Sequence, residues 1–460
     1  MTSTTPNILL IVSDDHGYAD RSALGSPDVS TPNLDRLSAE GTSFTDAYVT
    51  APICSPSRAA MITGQYQQRW GATWFDTSGI GGAPTIAERL SNEGYATGYF
   101  GKVHYGDEGP GDRGTPPKHG FQESFYGLAG QSMGRLHYLR HSEAAVSEYG
   151  QAAEAMAVQP LWSGDEPIQT DTFLTDEIAG RARDFMQRNQ EKPFFAMVAF
   201  NAVHNFCWQL PAEELERRGL PAFDDWHPGA SEYLDWYDGA ISPNLPNGRE
   251  YYLAQLELMD AQVGTLLDEL ERLGIADDTI VVYLTDNGGS TCNYGDNGEL
   301  RGTKYTVWEG GVRVPFIVRW SGVAEAGGTN SELTSSLDLA ATFAAAAGAE
   351  ADGTLDGRDL RTVLSSGPGH DELHWDCGWQ WAVRHGSWKL SWCDASSPTA
   401  EYVTTVEHTT PGDGFFLCDL ANDRGERTNL AGQHPAIVDR LVRAHSEWRA
   451  EVGLTVLPAS

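Results

Sequence analysis

Residues 7–12 read Asn-Ile-Leu-Leu-Ile-Val, an unbroken apolar run of strand length that gives way at once to Ser13-Asp14-Asp15. A strand without polar alternation has no face to turn to water, so it belongs inside a parallel sheet covered on both sides. The same texture returns at Thr97–Gly101, Pro193–Phe200, Thr279–Leu284 and Val314–Arg319. Helical periodicity fills the intervals, at Pro32–Glu40, Thr85–Glu93, Thr172–Arg188 and Arg249–Leu273. In the last of these, Leu253, Leu256, Met259, Val263, Leu266, Leu267 and Leu270 form one apolar stripe. Strands alternating with helices predict an α/β fold built on a doubly wound, mostly parallel sheet.

A chain of 460 residues exceeds one ordinary core, and its texture changes after the Ala-rich helix Leu337–Ala347 and the loop through Gly357. Trp375, Trp379, Trp381, Trp388 and Trp392 crowd a stretch with short β-like pieces at Ser387–Trp392 and Phe415–Leu420, followed by a helix from about Pro435 to Val452. This predicts a larger domain over 1–365 and a smaller C-terminal α+β subdomain over 366–460, with a small antiparallel sheet and a terminal helix.

A formal charge of −33 argues against nucleic acid as a partner, because phosphate binding needs clustered Lys and Arg. No apolar run approaches the roughly 20 residues of a membrane helix, so no membrane segment is expected. The six cysteines are scattered without a pairing pattern, and an apolar strand follows the opening Met-Thr-Ser-Thr-Thr-Pro directly. Together these predict a reducing, cytoplasmic setting. Only five lysines occur, at 102, 118, 192, 304 and 389.

Ligands of open parallel sheets bind beyond the carboxyl ends of the strands. In this chain those ends carry Ser13-Asp14-Asp15-His16, Lys102-Val103-His104, Asn201-Ala202-Val203-His204 and Thr285-Asp286-Asn287-Gly288. Each alone reads equally well as turn chemistry or as a structural histidine; their shared location is what points to a site. Carboxylates with an amide oxygen suit a hard cation, so Asp14, Asp15, Asp286 and Asn287 are candidate ligands of Ca²⁺ or Mg²⁺. His16, His119 and Arg313 are read as structural.

The run Ala51-Pro-Ile-Cys54-Ser-Pro56-Ser-Arg58-Ala-Ala-Met-Ile-Thr-Gly64 sets a cysteine two residues before a proline and four before an arginine. Ser55 can cap a helix, Pro56 suits its first turn and Gly64 can end it, which places Cys54 at a helix N-terminus, where an anionic oxygen is favoured. The run resembles the signature of the type I, formylglycine-dependent sulfatases of the alkaline-phosphatase-like superfamily. The likeness extends in order through Asp14-Asp15-His16-Gly17, Gly94–His104, Asp286-Asn287-Gly288, Arg301–Pro315 and Leu417–Leu430. Ile62 stands where the family usually has Leu, and His16 where an apolar residue is commoner.

The resemblance implies a hydrolase that cleaves an aryl or carbohydrate sulfate monoester to alcohol and inorganic sulfate. It implies that Cys54 is converted to formylglycine by a formylglycine-generating enzyme, and that the aldehyde's hydrate is the nucleophile. Asp14, Asp15, Asp286, Asn287 and the modified Cys54 would hold the divalent ion. Arg58 would steady the diol, Lys102 and Lys304 would neutralise sulfate oxygens, His204 would protonate the departing alcohol and His104 would act as base in the second half of the cycle. Two alternatives stay open: a phosphodiester or phosphonate monoester hydrolase of the same fold, and a silent oxyanion-binding protein with unmodified Cys54. Segments 107–167 and 206–247 carry no motif that fixes a substrate. Trp208, Phe223, Trp226, Tyr233, Trp236 and Tyr237 could stack on a ring or pack in the core.

Overall fold

The computed structural model describes residues 5–75, 79–106, 109, 111–127, 147, 161–168, 170, 172–223, 229–232, 235, 245–349 and 353–456. Its strands in chain order are β1 (Asn7–Ser13), β2 (Thr42–Phe44), β3 (Ala47–Tyr48), β4 (Ala96–Lys102), β5 (Glu123–Gly127), β6 (Leu161–Ser163), β7 (Glu166–Ile168) and β8 (Phe194–Ala199). They continue with β9 (Thr279–Thr285), β10 (Phe316–Arg319), β11 (Gly328–Asn330), β12 (Thr334–Ser335), β13 (Glu372–Asp376), β14 (Gln380–His385), β15 (Trp388–Cys393) and β16 (Gly414–Asp419).

β1 sits near the centre of a ten-stranded sheet of order β11-β2-β10-β9-β1-β8-β4-β5-β6-β7. The central block β9-β1-β8-β4-β5 is parallel throughout. All seven residues of β1 are buried, as an apolar strand without alternation requires. Leu9 and Ile11 face a core completed by the helices Pro32–Glu40, Leu174–Asn189 and Gly248–Leu273. Ile8, Leu10 and Val12 face the opposite core, with the helices Cys54–Thr63, Ile86–Asn92 and Asp338–Ala347. Every member of the Leu253–Leu270 stripe is buried. Each such side chain contributes about 1.5–3 kcal/mol, so the stripe alone fixes its helix on the sheet.

Local signals agree with the boundaries. Thr85 and Glu88 close a capping box, with Glu88 N donating to Thr85 Oγ1 at 3.2 Å and Thr85 N to Glu88 Oε2 at 2.8 Å. The stretch expected at Val314–Arg319 forms β10, but it runs antiparallel to both β9 and β2. No helix of the described residues is long and apolar enough to cross a membrane, and all six cysteines are free.

The tryptophan-rich stretch folds as a second, antiparallel sheet, β13-β14-β15-β16, with one face against the helix Pro435–Glu451 through Trp381, Val383, Leu390, Leu417, Leu441 and Val442. A helix at Pro398–Glu407, which periodicity did not reveal, interrupts the chain between β15 and β16. Lys389 on β15 is fully buried and reaches back toward the larger sheet. Its Nζ lies 2.8 Å from Glu309 Oε1 and 3.1 Å from Glu426 Oε1. Burial, with the Glu309 charge adding to it, pushes the Glu426 carboxyl up to about 7. Burial also acts to raise Glu309, but the Arg313 and Lys389 charges outweigh it and hold that carboxyl well below its usual range.

Removing one partner of a buried ion set leaves the others uncompensated, at a cost of about 3–5 kcal/mol. Lys389→Met is therefore expected to lower the unfolding free energy measured by urea titration by that amount. A loss below about 1 kcal/mol would show that Lys389 does not hold the two carboxylates together.

Candidate active site

The four polar strand ends converge because β9, β1, β8 and β4 are neighbours with paired termini: Ser13 is opposite Thr285, and Ala199 is opposite both Val12 and Gly101. Backbone pairing continues past the strands, with Asp14 N donating to Ala202 O at 2.9 Å, Val203 N to Asp14 O at 2.8 Å and Asp286 N to Ser13 O at 3.2 Å. These bonds fix the loops that carry Asp14, Asp15, His204, Asp286 and Asn287. Gly288 has a steric reason as well as turn chemistry: a Cβ there would lie 1.8 Å from Gly310 O.

The helix after Ile53 begins earlier than its sequence suggests. Cys54 is its first residue and Ile53 is the N-cap, so Ser55 does not cap and Pro56 lies third; Gly64 closes the helix at φ 69°. The cap assignment fails because the Ser55 hydroxyl is buried without a partner instead of returning to the backbone. Cys54 consequently stands at the positive end of the helix. Its Sγ is 3.6 Å from Asp14 Oδ1 and 3.9 Å from Asp15 Oδ1. Burial, then the Asp286 charge, push the thiol well above its ordinary pKa, so the encoded sulfur is a protonated, weak nucleophile.

Arg58, one turn along, donates from Nε to Asp286 Oδ2 at 2.7 Å and from Nη1 to Lys102 O at 3.3 Å. Lys102 Nζ is bonded to Asp14 Oδ2. Lys304 Nζ donates to Asp15 Oδ2 at 2.7 Å and lies 3.1 Å from His204 Nε2. Three carboxylates thus meet three cations in a space closed to solvent. Burial, reinforced by Asp286, pushes Asp14 up to about 7. Burial also acts on Asp286, yet the charges of Arg58, Lys102 and Lys304 hold it below its usual range.

One oxygen, nitrogen or sulfur atom each from Asp14, Asp15, Cys54 and His204 lie within 4.8 Å of one another. His204 therefore enters the group that could hold a cation, while Asp286 is drawn to Arg58 and to Asp15 N, which lies 3.3 Å from its Oδ1. Asn287 donates from Nδ2 to Asp15 Oδ1 at 2.6 Å, and its own Oδ1 is buried without a partner. An orphaned acceptor beside two carboxylates fits a hard cation.

His104 follows β4 with φ 55° and is half-buried, beside the strand end whose Lys102 enters the cluster. His16 is locked away: Nε2 is 2.6 Å from Asp20 O and must carry the proton there, Nδ1 is 2.6 Å from the Tyr283 hydroxyl, and burial brings its pKa down to about 4. Trp208 packs in the core, its ring 4.8 Å from that of Phe223, and Trp226, Tyr233, Trp236 and Tyr237 lie outside the described residues. A different aromatic group borders the site. Lys304 Nζ is 5.4 Å from the Tyr305 ring, which is surrounded by Trp74 at 6.0 Å, Phe75 at 5.6 Å and Tyr402 at 6.3 Å. Only Tyr305, adjacent to Lys304, had a sequence signal.

The family described as Sulfatase matches residues 6–349 of the chain. Arylsulfatase A of Bos taurus is 33% identical over 468 residues, covering 93% of this chain and 84% of the relative. Steryl-sulfatase of Rattus norvegicus is 29% identical, covering 96% and 89%. The crystal structure of Ps i-CgsB in complex with k-i-k-neocarrahexaose superimposes with a TM-score of 0.79 at 28% identity, over 98% of this chain and 95% of that one.

Ca²⁺ or Mg²⁺ added to chelator-treated protein is expected to give a saturable calorimetric titration, lost in Asp15→Ala and weakened in Asp286→Ala. Unchanged affinity in both variants would count decisively against a cation at this place.

Proposed function

Because the chain belongs to the sulfatase family and is a sulfuric ester hydrolase, we propose that it hydrolyses the sulfate monoester of an aryl or carbohydrate alcohol at the pocket around Cys54. The observation that carries the reading is the burial of Cys54, at a helix N-terminus, against Asp14 and Asp15 and among Arg58, Lys102 and Lys304. A sulfate monoester is a single anion with three terminal oxygens. It is matched by two movable ammonium groups and a helix end.

Formylglycine made from Cys54 by a formylglycine-generating enzyme would supply a geminal-diol nucleophile, and Asp14, Asp15, Asp286 and Asn287 would hold a Ca²⁺ or Mg²⁺ whose charge would polarise a sulfuryl oxygen. Arg58, fixed by Asp286, presents its guanidinium beside residue 54. Lys102 and Lys304 are bonded to Asp14 and Asp15 in the ligand-free protein and turn to sulfate oxygens when the ester arrives. Drawing the Lys304 ammonium away frees the His204 Nε2 lone pair to take up a proton from water, which it then gives to the leaving oxygen. His104 takes up a proton in the second half of the cycle. The aromatic group around Tyr305 offers a flat, weakly polar wall to the alcohol's ring. Carrying the relatives' names over, ring-bearing alcohols are the expected substrates.

Active protein is expected to yield a tryptic peptide about 18 Da lighter at position 54 than the encoded cysteine, the change from thiol to aldehyde that activates this nucleophile. Full activity with only unmodified Cys54 in the spectrum would overturn the mechanism.

The two histidines are separable by leaving group. His204→Ala is expected to slow alkyl and carbohydrate sulfates by about 10²–10⁴-fold and activated aryl sulfates far less, since only poor leaving groups need a proton. His104→Ala is expected to slow both classes to a common rate, because its step comes after the alcohol has left. The opposite pattern would exchange the roles.

A further inference from the structure

One set of contacts reaches the site from the far end of the chain. The helix Pro398–Glu407 ends on Glu407, whose side chain is buried. Glu407 Oε1 accepts from Ser290 Oγ at 2.6 Å and Oε2 from Thr291 N at 2.7 Å, and Cys292 Sγ donates to Val406 O at 3.0 Å. These three bonds grip the single 3₁₀ turn Thr291–Asn293, a few residues beyond Asp286 and Asn287. The last residue of the turn, Asn293, is fully buried and bonds through Nδ2 to Asp15 Oδ2. That oxygen also accepts from Lys304 Nζ at 2.7 Å and lies 3.4 Å from His204 Nε2.

We propose that Glu407 and Asn293 are positioning residues acting in series. Through them the helix Pro398–Glu407 holds the 3₁₀ turn, the turn aims the Asn293 amide, and the amide fixes the carboxylate plane of Asp15 at the site. A turn this short has little hold of its own, with Asn293 N to Ser290 O at 3.2 Å and Tyr294 N to Thr291 O at 3.1 Å. Without Glu407 the half-buried Thr291 N–H and the buried Ser290 hydroxyl would both lose their acceptor, and the turn would move to find others. Asp15 would then keep Asn287 on Oδ1 and Lys304 on Oδ2 but lose the second donor to Oδ2, and its carboxylate plane would be held less firmly. Groups that orient a metal-binding carboxylate typically change affinity or activity by about 10–100-fold.

The chemistry of the contact sets the conservative replacement. Gln at 407 can accept from Thr291 N through its carbonyl, while its amide donates to the Ser290 hydroxyl, which is free to reverse. Burial also pushes the Glu407 carboxyl up to about 7, so an uncharged side chain is a fair substitute. Glu407→Gln should preserve the relay and Glu407→Ala should break it.

The inference rests on the reading of Asp15 as a cation ligand, and its test uses the full-length, matured protein. Ca²⁺ affinity of chelator-treated protein is measured by calorimetry, and kcat is measured with an aryl sulfate, for Glu407→Ala, Glu407→Gln, Asn293→Ala and the double variant Glu407→Ala/Asn293→Ala. Expected are a loss of about 10-fold or more in affinity and in kcat for either alanine variant, no further loss in the double variant, and values within about twofold of the parent for Glu407→Gln. Additive losses in the double variant, or an unaltered Asn293→Ala, would overturn the relay. Asn293→Ala leaves the helix contacts intact, so it decides the matter even where Glu407→Ala fails to fold. If the parent protein binds no cation, it is the reading of Asp15 that fails, and the relay is judged by the same pattern in kcat.

Discussion

Asp14, Asp15 and Asp286 occupy one buried space, and three carboxylates can do so only with matching positive charge. Arg58, Lys102 and Lys304 supply it, and each comes from a different part of the chain: the helix Cys54–Thr63, the end of β4 and the segment before Glu309. An unpaired charge in that space would cost several kcal/mol, so each pairing ties two distant segments together in one register. The parallel order β9-β1-β8-β4 makes the arrangement possible by bringing four strand ends to one edge. The cluster and the sheet therefore specify each other.

That dependence explains how much was legible in sequence. β1 and the helix Pro32–Glu40 were readable because their burial imposes a pattern, all-apolar for one and 3.6-periodic for the other. Asp14, Asp15, Lys102, His204, Asp286 and Asn287 were readable as a site because they follow such strands. Asn293 and Glu407 were not, since a polar residue in a loop and a glutamate at a helix end have ordinary reasons to be there. Nor does the sequence reveal that Trp208 packs on Phe223 while Trp74 and Tyr402 gather near Tyr305. Aromatic side chains are spent on cores and on binding walls alike, and only tertiary placement separates the two uses. The early start of the helix at Cys54 has the same origin, because Ser55 is held in a crowded interior where its hydroxyl cannot turn back to cap.

The small antiparallel sheet contributes more than a cover. Lys389 of β15 is inserted between Glu309 and Glu426, and Glu309 also accepts a bond from the Tyr48 hydroxyl at 2.7 Å. Glu309 follows Lys304 by five residues and opens the short helix Glu309–Val312. The position of an active-site ammonium is thus coupled to charges on the second sheet. Removing that sheet would take Lys389 from Glu309, leaving it Tyr48 and Arg313, and would disturb the segment that carries Lys304.

Local and global charge have opposite signs here, and that contrast bears on the substrate. A protein of net charge −33 repels anions at long range, and more so at low salt. Within the cluster three carboxylates meet three cations in a buried space, and a divalent cation held there would add two positive charges that solvent screens poorly. On the proposed reading an anionic ester would be held by short-range contacts that the acidic surface does not cancel, whereas a long polyanion would carry further charges out onto that surface.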